Sequence, residues 1–365
     1  MILDNRNEVA RGYLIICVIY VHILYVVQAV AVPAGSSVLT DIQIKLLAPH
    51  VTVFFYLSGL TSRQIGKRNF ASVAQNSLML LMIAWVTHIV GLLAATAIYG
   101  GYATPRALFH DLLKPVVLGT GDVTYVAWFF TVLAVARVLA WVFEKSKLGF
   151  AALVLAIAGA IWASQRAGLP DNIYEWRNWP VATFFFLLGM KTPKDFRLSV
   201  PLALAALAGA LVLTWMNEPG MLRHAPCLRH CPIEFVSQPM VGQFGFLPVF
   251  LAQEALFGLF LVAAASWTVP FVTRTARFFG VPSLQILILH GWIIATSFPV
   301  LGYLLPHHEN VLLLILLFFA GPAVHAGLYL LLRMPLNWTV GSISDLSRRI
   351  TTGVQLAGRT RVAAS

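Results

Sequence analysis

Charge is what this 365-residue sequence has least of: Asp, Glu, Lys and Arg together make up 11%, where a soluble domain carries about 25%. Acids are the scarcer sign, 14 against 25 Lys and Arg, while 59% of the residues are hydrophobic. So few charges cannot cover a water-facing surface, which excludes a soluble globular fold. Cysteine is also scarce, with three in the chain, too few for a disulfide-stapled framework. Catalytic fingerprints are missing as well. Tyr56 stands where a Gly-x-Ser-x-Gly elbow around Ser58 needs its first glycine. There is no Gly-x4-Gly-Lys-Ser/Thr loop, no Gly-x-Gly-x-x-Gly turn and no His-Glu-x-x-His pair, so nucleotide-driven pumping, dinucleotide chemistry and the usual zinc-protease arrangement lack support. No fixed-period repeat, low-complexity tract or domain-sized soluble insertion interrupts the chain.

What the sequence does have is apolar runs, at 13–32, 42–60, 77–99, 123–143, 148–164, 179–190, 198–216, 244–266, 281–300 and 311–333. Ten spans of roughly 20 residues would use nearly the whole length. The expected fold is therefore all-α, a polytopic transmembrane bundle of about ten spans over residues 1–336, followed by a basic tail over 337–365. The run at 179–190 is short and must recruit flanking residues, tilt, or be buried in protein. Ten spans put both termini on one side, and the positive charge sorts accordingly. Sixteen Lys and Arg fall in the terminal-side gaps and six in the others; Lys45, Arg137 and Arg333 lie in or at the edge of spans. Both termini are thus expected in the cytoplasm, and the excess of basic charge follows from topology without nucleic acid. The first run is longer than a signal-peptide core of about 7–15 residues, so it reads as a retained span. The tail, with Arg348-Arg349 and Arg359, suits anionic lipid head groups.

Cys17 lies in the first span as a small packing residue. Cys227 and Cys231 share an outer loop with His224 and His230. A disulfide suits that face, and a zinc site is the sharper alternative, although His230 and Cys231 are adjacent. Inside the spans lie His22, His50, His88, Glu254, His290 and His325. Each is costly in hydrocarbon unless it faces the protein interior and finds a partner, and histidines in such a place suit proton handling. Glu254, the one carboxylate well inside a span, suits either a structural hydrogen bond or the orientation of a catalytic histidine. His88 and His325 read as satisfied core residues. Arg11 and His22 are eleven residues apart, so a helix projects them within about 20° of each other and about 16 Å apart along its axis. A guanidinium at the cytoplasmic rim can pair with phosphate, and an imidazole at mid-depth can act as a base. That spacing is comparable to the reach of a phosphopantetheine arm. The plainer alternative is a topology anchor and a hydrogen-bonded core histidine.

Arg11-Gly12 followed by an apolar helix to His22, an Arg-x10-His spacing, resembles the first-span signature of the integral-membrane acyltransferases of the acyltransferase-3 group. His50-Val51-Thr52-Val53-Phe54-Phe55-Tyr56-Leu57-Ser58-Gly59 resembles that family's His-x-Pro-x-Phe-Phe-x-Leu-Ser-Gly segment, with Thr52 at the proline position. The basic stretch from Arg63 to Arg68 follows, as in the family. Trp128-Phe129 resembles its Trp-Phe/Tyr-Leu element, with Phe130 for the leucine. Ser283 to His290 resembles its Ser-x-x-x-Tyr-Leu-x-His segment without the tyrosine.

The resemblance implies transfer of an acyl group, usually acetyl, from cytoplasmic acyl-CoA to a hydroxyl on a glycan, lipid-linked sugar or small molecule. Acetyl-CoA would be a donor substrate, with no permanently bound cofactor and no metal. In that family frame His22 is the general base and Arg11 holds the donor phosphates. His50, Ser58 and Trp128 line the donor site, Arg63 and Arg68 add phosphate contacts, and His290 belongs to the site through its motif. Each has a plainer alternative: Ser58-Gly59 as a close-packing pair, Trp128 as an interfacial belt residue, Arg63 and Arg68 as topology determinants. The rival from another class is a proton-coupled secondary transporter using the histidines and Glu254, although the two halves show no internal symmetry.

Overall fold

The computed structural model describes residues 2–31, 38–101, 104–119, 124–146, 159, 173–193, 196–217, 242, 244–267, 269–306 and 310–363. Among them every regular element is helical and none is a strand. In chain order these are α1 (Ile2–Ala31), α2 (Val38–Leu47), α3 (Val53–Thr61), α4 (Phe70–Tyr99), α5 (Pro105–Leu118), α6 (Ala127–Ser146) and α7 (Trp179–Lys191). They continue as α8 (Val200–Met216), α9 (Leu247–Ala264), α10 (Pro270–Gly280), α11 (Ser283–Leu304) and α12 (Val311–Ala363).

Six helical stretches among the described residues are long and apolar enough to cross a membrane: Asn5–Gln28, Leu39–Thr61, Phe70–Tyr99, Ala127–Ser146, Leu247–Ala264 and Val311–Val354. A seventh is the pair formed by α10 and the first part of α11, bent by 71° at its break. The architecture is that of a multi-pass protein embedded in a membrane. The run expected at 198–216 is α8, an apolar helix of 17 residues. The expected span at 148–164 lies outside the described residues except for residue 159, and so do His224, Cys227, His230 and Cys231.

Lipid is as apolar as leucine, so burial alone does not hold helices together in a bilayer; close backbone packing and buried hydrogen bonds do. Gly12 and Gly280 supply the first. A Cβ on Gly12 would collide with the backbone carbonyl of Ala276, and one on Gly280 with that of Glu8. Helices α1 and α10 therefore cross antiparallel with their backbones in contact, and Arg277 Nε donates to Glu8 Oε2 at 3.0 Å beside that crossing. Gly59 and Gly189 do the same for α3 and α7, each facing the other helix's carbonyls at Phe186 and Tyr56. This explains how α7 can be only 13 residues long. Its Val181, Ala182, Phe185, Phe186 and Leu187 are buried in protein rather than matched to lipid. Phe129 of α6 packs against Phe54 and Phe55 of α3 at ring distances of 5.5 and 5.1 Å, joining that pair to the core.

The second span is not a single helix. Between α2 and α3 the chain tightens into a 3-10 turn, Ala48–Thr52, with Pro49 near its start. Pro49 lacks an amide hydrogen and tolerates only the first helical turn, so it restarts the helix at mid-depth. That break carries His50 and Thr52. Two buried hydroxyls elsewhere are satisfied by their own helices: Thr87 donates to the Ile83 carbonyl at 2.6 Å and Thr131 to Ala127 at 3.2 Å. Helix α12 has 53 residues and at 1.5 Å per residue is about 80 Å long, well beyond a hydrocarbon core of about 30 Å. It runs without a break through residues 336 and 337, so the basic tail is helical where it leaves the span.

Candidate functional site

Helix α1 carries both residues of the Arg-x10-His pair, and it is unbroken from Ile2 to Ala31, so the shared face and the separation of about 16 Å follow from helix geometry. His22 is the partly exposed end of a chain of three imidazoles. His290 Nε2 lies 2.9 Å from His22 Nδ1, and His290 Nδ1 lies 2.9 Å from His325 Nε2. Backbone carbonyls hold both ends: Val18 O is 3.0 Å from His22 Nδ1 and Gly321 O is 2.8 Å from His325 Nδ1. One ring comes from each of α1, α11 and α12. Gly321 leaves room beside the chain for the Ile23 side chain of α1, whose tip a Cβ would meet. The rings of Tyr25 and Tyr125 flank His22 at 6.2 and 6.4 Å. Tyr125 has φ 52°, a left-handed backbone that an aromatic residue adopts rarely, two residues before α6 begins.

A second ionisable group is separate from the first. His50 Nδ1 donates to Glu254 Oε1 at 2.8 Å, and Thr52 Oγ1 donates to Glu254 Oε2 at 2.5 Å. Gln253 Nε2 adds a bond to the same carboxylate at 3.3 Å and its own oxygen accepts from Asn217 at 3.4 Å. His50 stacks on Phe257 with ring centroids 3.7 Å apart. His50, Thr52, Gln253 and Glu254 are all buried. Pairing of Glu254 with a histidine agrees with the sequence, but the histidine is His50; Glu254 is not bonded to His22. The pair orients the His50 ring and leaves its Nε2 buried and without a hydrogen-bond partner.

The third feature is at the other end of α1. Arg11 donates to Thr61 Oγ1 at 3.2 Å. Arg137, inside α6, lies near enough to both Arg11 and Arg68, the latter at the end of the α3–α4 connection, for their charges to act on it. Among the described residues none of these three guanidinium groups has an ion pair with a carboxylate. Glu8, the acid whose charge reaches Arg11, is tied to Arg277. Trp141 Nε1 donates to the Arg68 carbonyl at 2.9 Å, fixing the connection against α6. Arg63 lies near enough to Tyr56 for its charge to act on it, and its Nε is buried without a partner. A cluster of guanidinium groups with no carboxylate paired to it is suited to anions, above all phosphates.

The remaining expected site residues are more ordinary. Ser58 is half-buried one residue before the Gly59 contact, and its carbonyl accepts from Thr61 at 3.0 Å. Trp128 is buried, with its ring edge-on to Phe129 at 6.2 Å, so it is not an interfacial belt residue. His88 Nε2 bonds the Asp111 carbonyl at 3.2 Å and ties α4 to α5, as a core residue would. His325 is satisfied too, but by His290, which draws it into the site. Arg137 and Tyr125 were also missed. The signal for Arg137 was an arginine within an apolar run; Tyr125 has no signal in the sequence. Among the described residues no group of three or more His, Cys, Asp or Glu is placed to hold a metal ion. The ring nitrogens of the histidine chain point at one another, not at a common centre. No protein-family model, curated protein or solved structure matches the chain.

Proposed function

We propose that this chain is an integral-membrane O-acyltransferase, moving an acyl group, most simply acetyl, from cytoplasmic acyl-CoA to a hydroxyl of a cell-envelope glycan, lipid-linked sugar or small molecule. The supporting observation is α1. One rigid helix carries Arg11 in a cluster with Arg68 and Arg137 and, about 16 Å along the same face, His22 with an imidazole chain behind it. The arginines hold the nucleotide phosphates of the donor at the cytoplasmic rim, with Arg63 beside them. The extended arm then brings the thioester to His22, which accepts the acceptor's hydroxyl proton as the oxygen attacks the carbonyl carbon. The carbon–sulfur bond breaks, and the proton goes from His22 to the departing thiolate. The Glu254–His50 pair, with Ser58 and Trp128, shapes the path between the two ends. In this reading the bundle has ten spans with both termini cytoplasmic, in the cell membrane.

A proton-coupled secondary transporter is the second reading, favoured by the two ionisable groups inside the bundle. Binding of acetyl-CoA to the purified protein, by calorimetry against free CoA and against Arg11→Ala, separates the two. Saturable binding weakened about 10- to 100-fold by Arg11→Ala, the loss of a hydrogen bond to a charged group, supports the enzyme. With folded protein that binds no acetyl-CoA, the transporter takes its place and proton-coupled uptake becomes the assay. Thiol release from acetyl-CoA, with N-acetylglucosamine and glycerol as acceptor probes, is expected to be abolished by His22→Ala at unchanged expression; retained turnover would remove His22 from the mechanism.

A further inference from the structure

We infer that His290 and His325 form a proton relay behind His22, with His325 as the site where the proton's charge comes to rest during turnover; the chemistry it serves rests on the acyltransferase reading. The hydrogen bonds leave one tautomer for each ring. A carbonyl only accepts, so the Nδ1 atoms of His325 and His22, 2.8 and 3.0 Å from Gly321 O and Val18 O, both carry hydrogen. A neutral imidazole has one N–H, so His325 Nε2 is a lone pair and the 2.9 Å contact to it requires a hydrogen on His290 Nδ1. His290 Nε2 is then also a lone pair. It accepts from His22 Nδ1 at 2.9 Å, whose hydrogen is shared with the Val18 carbonyl. Every donor meets an acceptor, and the one nitrogen left over is His22 Nε2.

That atom sits on the partly exposed ring, whereas His290 and His325 are 2% and 3% exposed. The chain therefore has a reactive mouth and a closed interior. When His22 Nε2 takes the hydroxyl proton, its Nδ1 hydrogen passes to His290 Nε2 and the His290 Nδ1 hydrogen passes to His325 Nε2. His22 and His290 are neutral again and His325 is the cation, still donating to Gly321. Reversing both hops makes His22 the cation once more, and its Nε2 hydrogen goes to the thiolate. No proton is gained or lost. Among the described residues none of the three rings is bonded to a carboxylate, so the network itself must accommodate the charge, and linked rings that polarise one another do so better than one.

The test has two arms on the full-length protein in lipid nanodiscs. In the first, thiol release from acetyl-CoA is compared for wild type, His325→Ala and His325→Gln. The glutamine oxygen accepts the His290 bond but cannot relay a proton. The relay predicts that kcat falls at least about tenfold in both variants, a share of what a general base contributes, with KM for acetyl-CoA unchanged. Rescue of kcat by glutamine would reduce His325 to an orienting group and overturn the proposal. The second arm needs no turnover. Nitrogen-15 spectra of histidine-labelled protein are expected to show Nδ1–H at all three rings, with couplings across both N–H···N bonds. Missing couplings, or an Nε2–H form of His290, would overturn it. Couplings present in a protein that transfers no acyl group would instead reject the acyltransferase reading and leave the relay as a proton path.

Discussion

Replacing Glu254 gives the sharpest quantitative test of what the polar groups inside this bundle contribute. Its buried carboxylate accepts three hydrogen bonds, from His50 at 2.8 Å, Thr52 at 2.5 Å and Gln253 at 3.3 Å. In Glu254→Gln the amide oxygen keeps the His50 bond. The amide NH2 then faces the Thr52 hydroxyl, which can reverse and accept, its hydrogen turning to the Pro49 carbonyl 3.4 Å away. A charge-assisted bond becomes an ordinary one, at a cost of about 1 kcal/mol. In Glu254→Ala the His50 donor has no acceptor and Thr52 has only the long bond to Pro49. At about 1–3 kcal/mol for each of these two groups the loss is about 2–6 kcal/mol. That exceeds the average polar pair in a membrane, about 0.6 kcal/mol, because one acceptor serves several donors at a break in a span. Unfolding by SDS titration in mixed micelles reads these differences directly. A Glu254→Ala variant within about 0.5 kcal/mol of wild type, less than a single typical hydrogen bond, would refute the reasoning, and so would a glutamine variant as unstable as the alanine one.

Close helix crossings are expected to be less forgiving than hydrogen bonds. Gly12→Val and Gly280→Val each drive a side chain into a facing backbone carbonyl and should lower the yield of folded protein sharply. Gly327→Ala, with nothing within 4 Å of the new Cβ, should melt at or slightly above wild type, since alanine favours helix by up to about 1 kcal/mol; equal effects at the three sites in a thermal melt would refute the packing argument. Arg137→Ala should weaken acetyl-CoA binding about 10-fold or more, the value of one charged hydrogen bond to phosphate, and flatten the salt dependence measured by calorimetry; an unchanged salt dependence would remove Arg137 from the anion cluster. A reporter active only in the cytoplasm, fused after Ser365, should be active in cells, and an inactive fusion would reject the ten-span topology.

How much of the site was legible depended on how far its parts lie apart along the chain. Arg11 and His22 are on one helix, so helix geometry alone fixes their common face and separation. The partner of Glu254 was narrowed to a histidine because few other groups can meet a carboxylate inside a span; which one depended on the break at Pro49, which turns His50 toward α9. His325 read as a satisfied core residue and is one, but its partner is 35 residues away on α11, and no local pattern encodes that pairing. Arg137 was visible as a charge in an apolar run, and its closeness to Arg11 and Arg68 was not.

The sequence by itself determined the solvent of this protein and its helical class. Composition and the length of apolar runs are set by the bilayer, and backbone hydrogen bonds in hydrocarbon permit little besides helices. Only the tertiary structure decided which of those residues meet. Glycines 12, 59, 189 and 280 let particular backbones approach within contact and Gly321 leaves room for the Ile23 side chain, and that choice of crossings joins His22 to His290 and His325 and leaves Glu254 to His50.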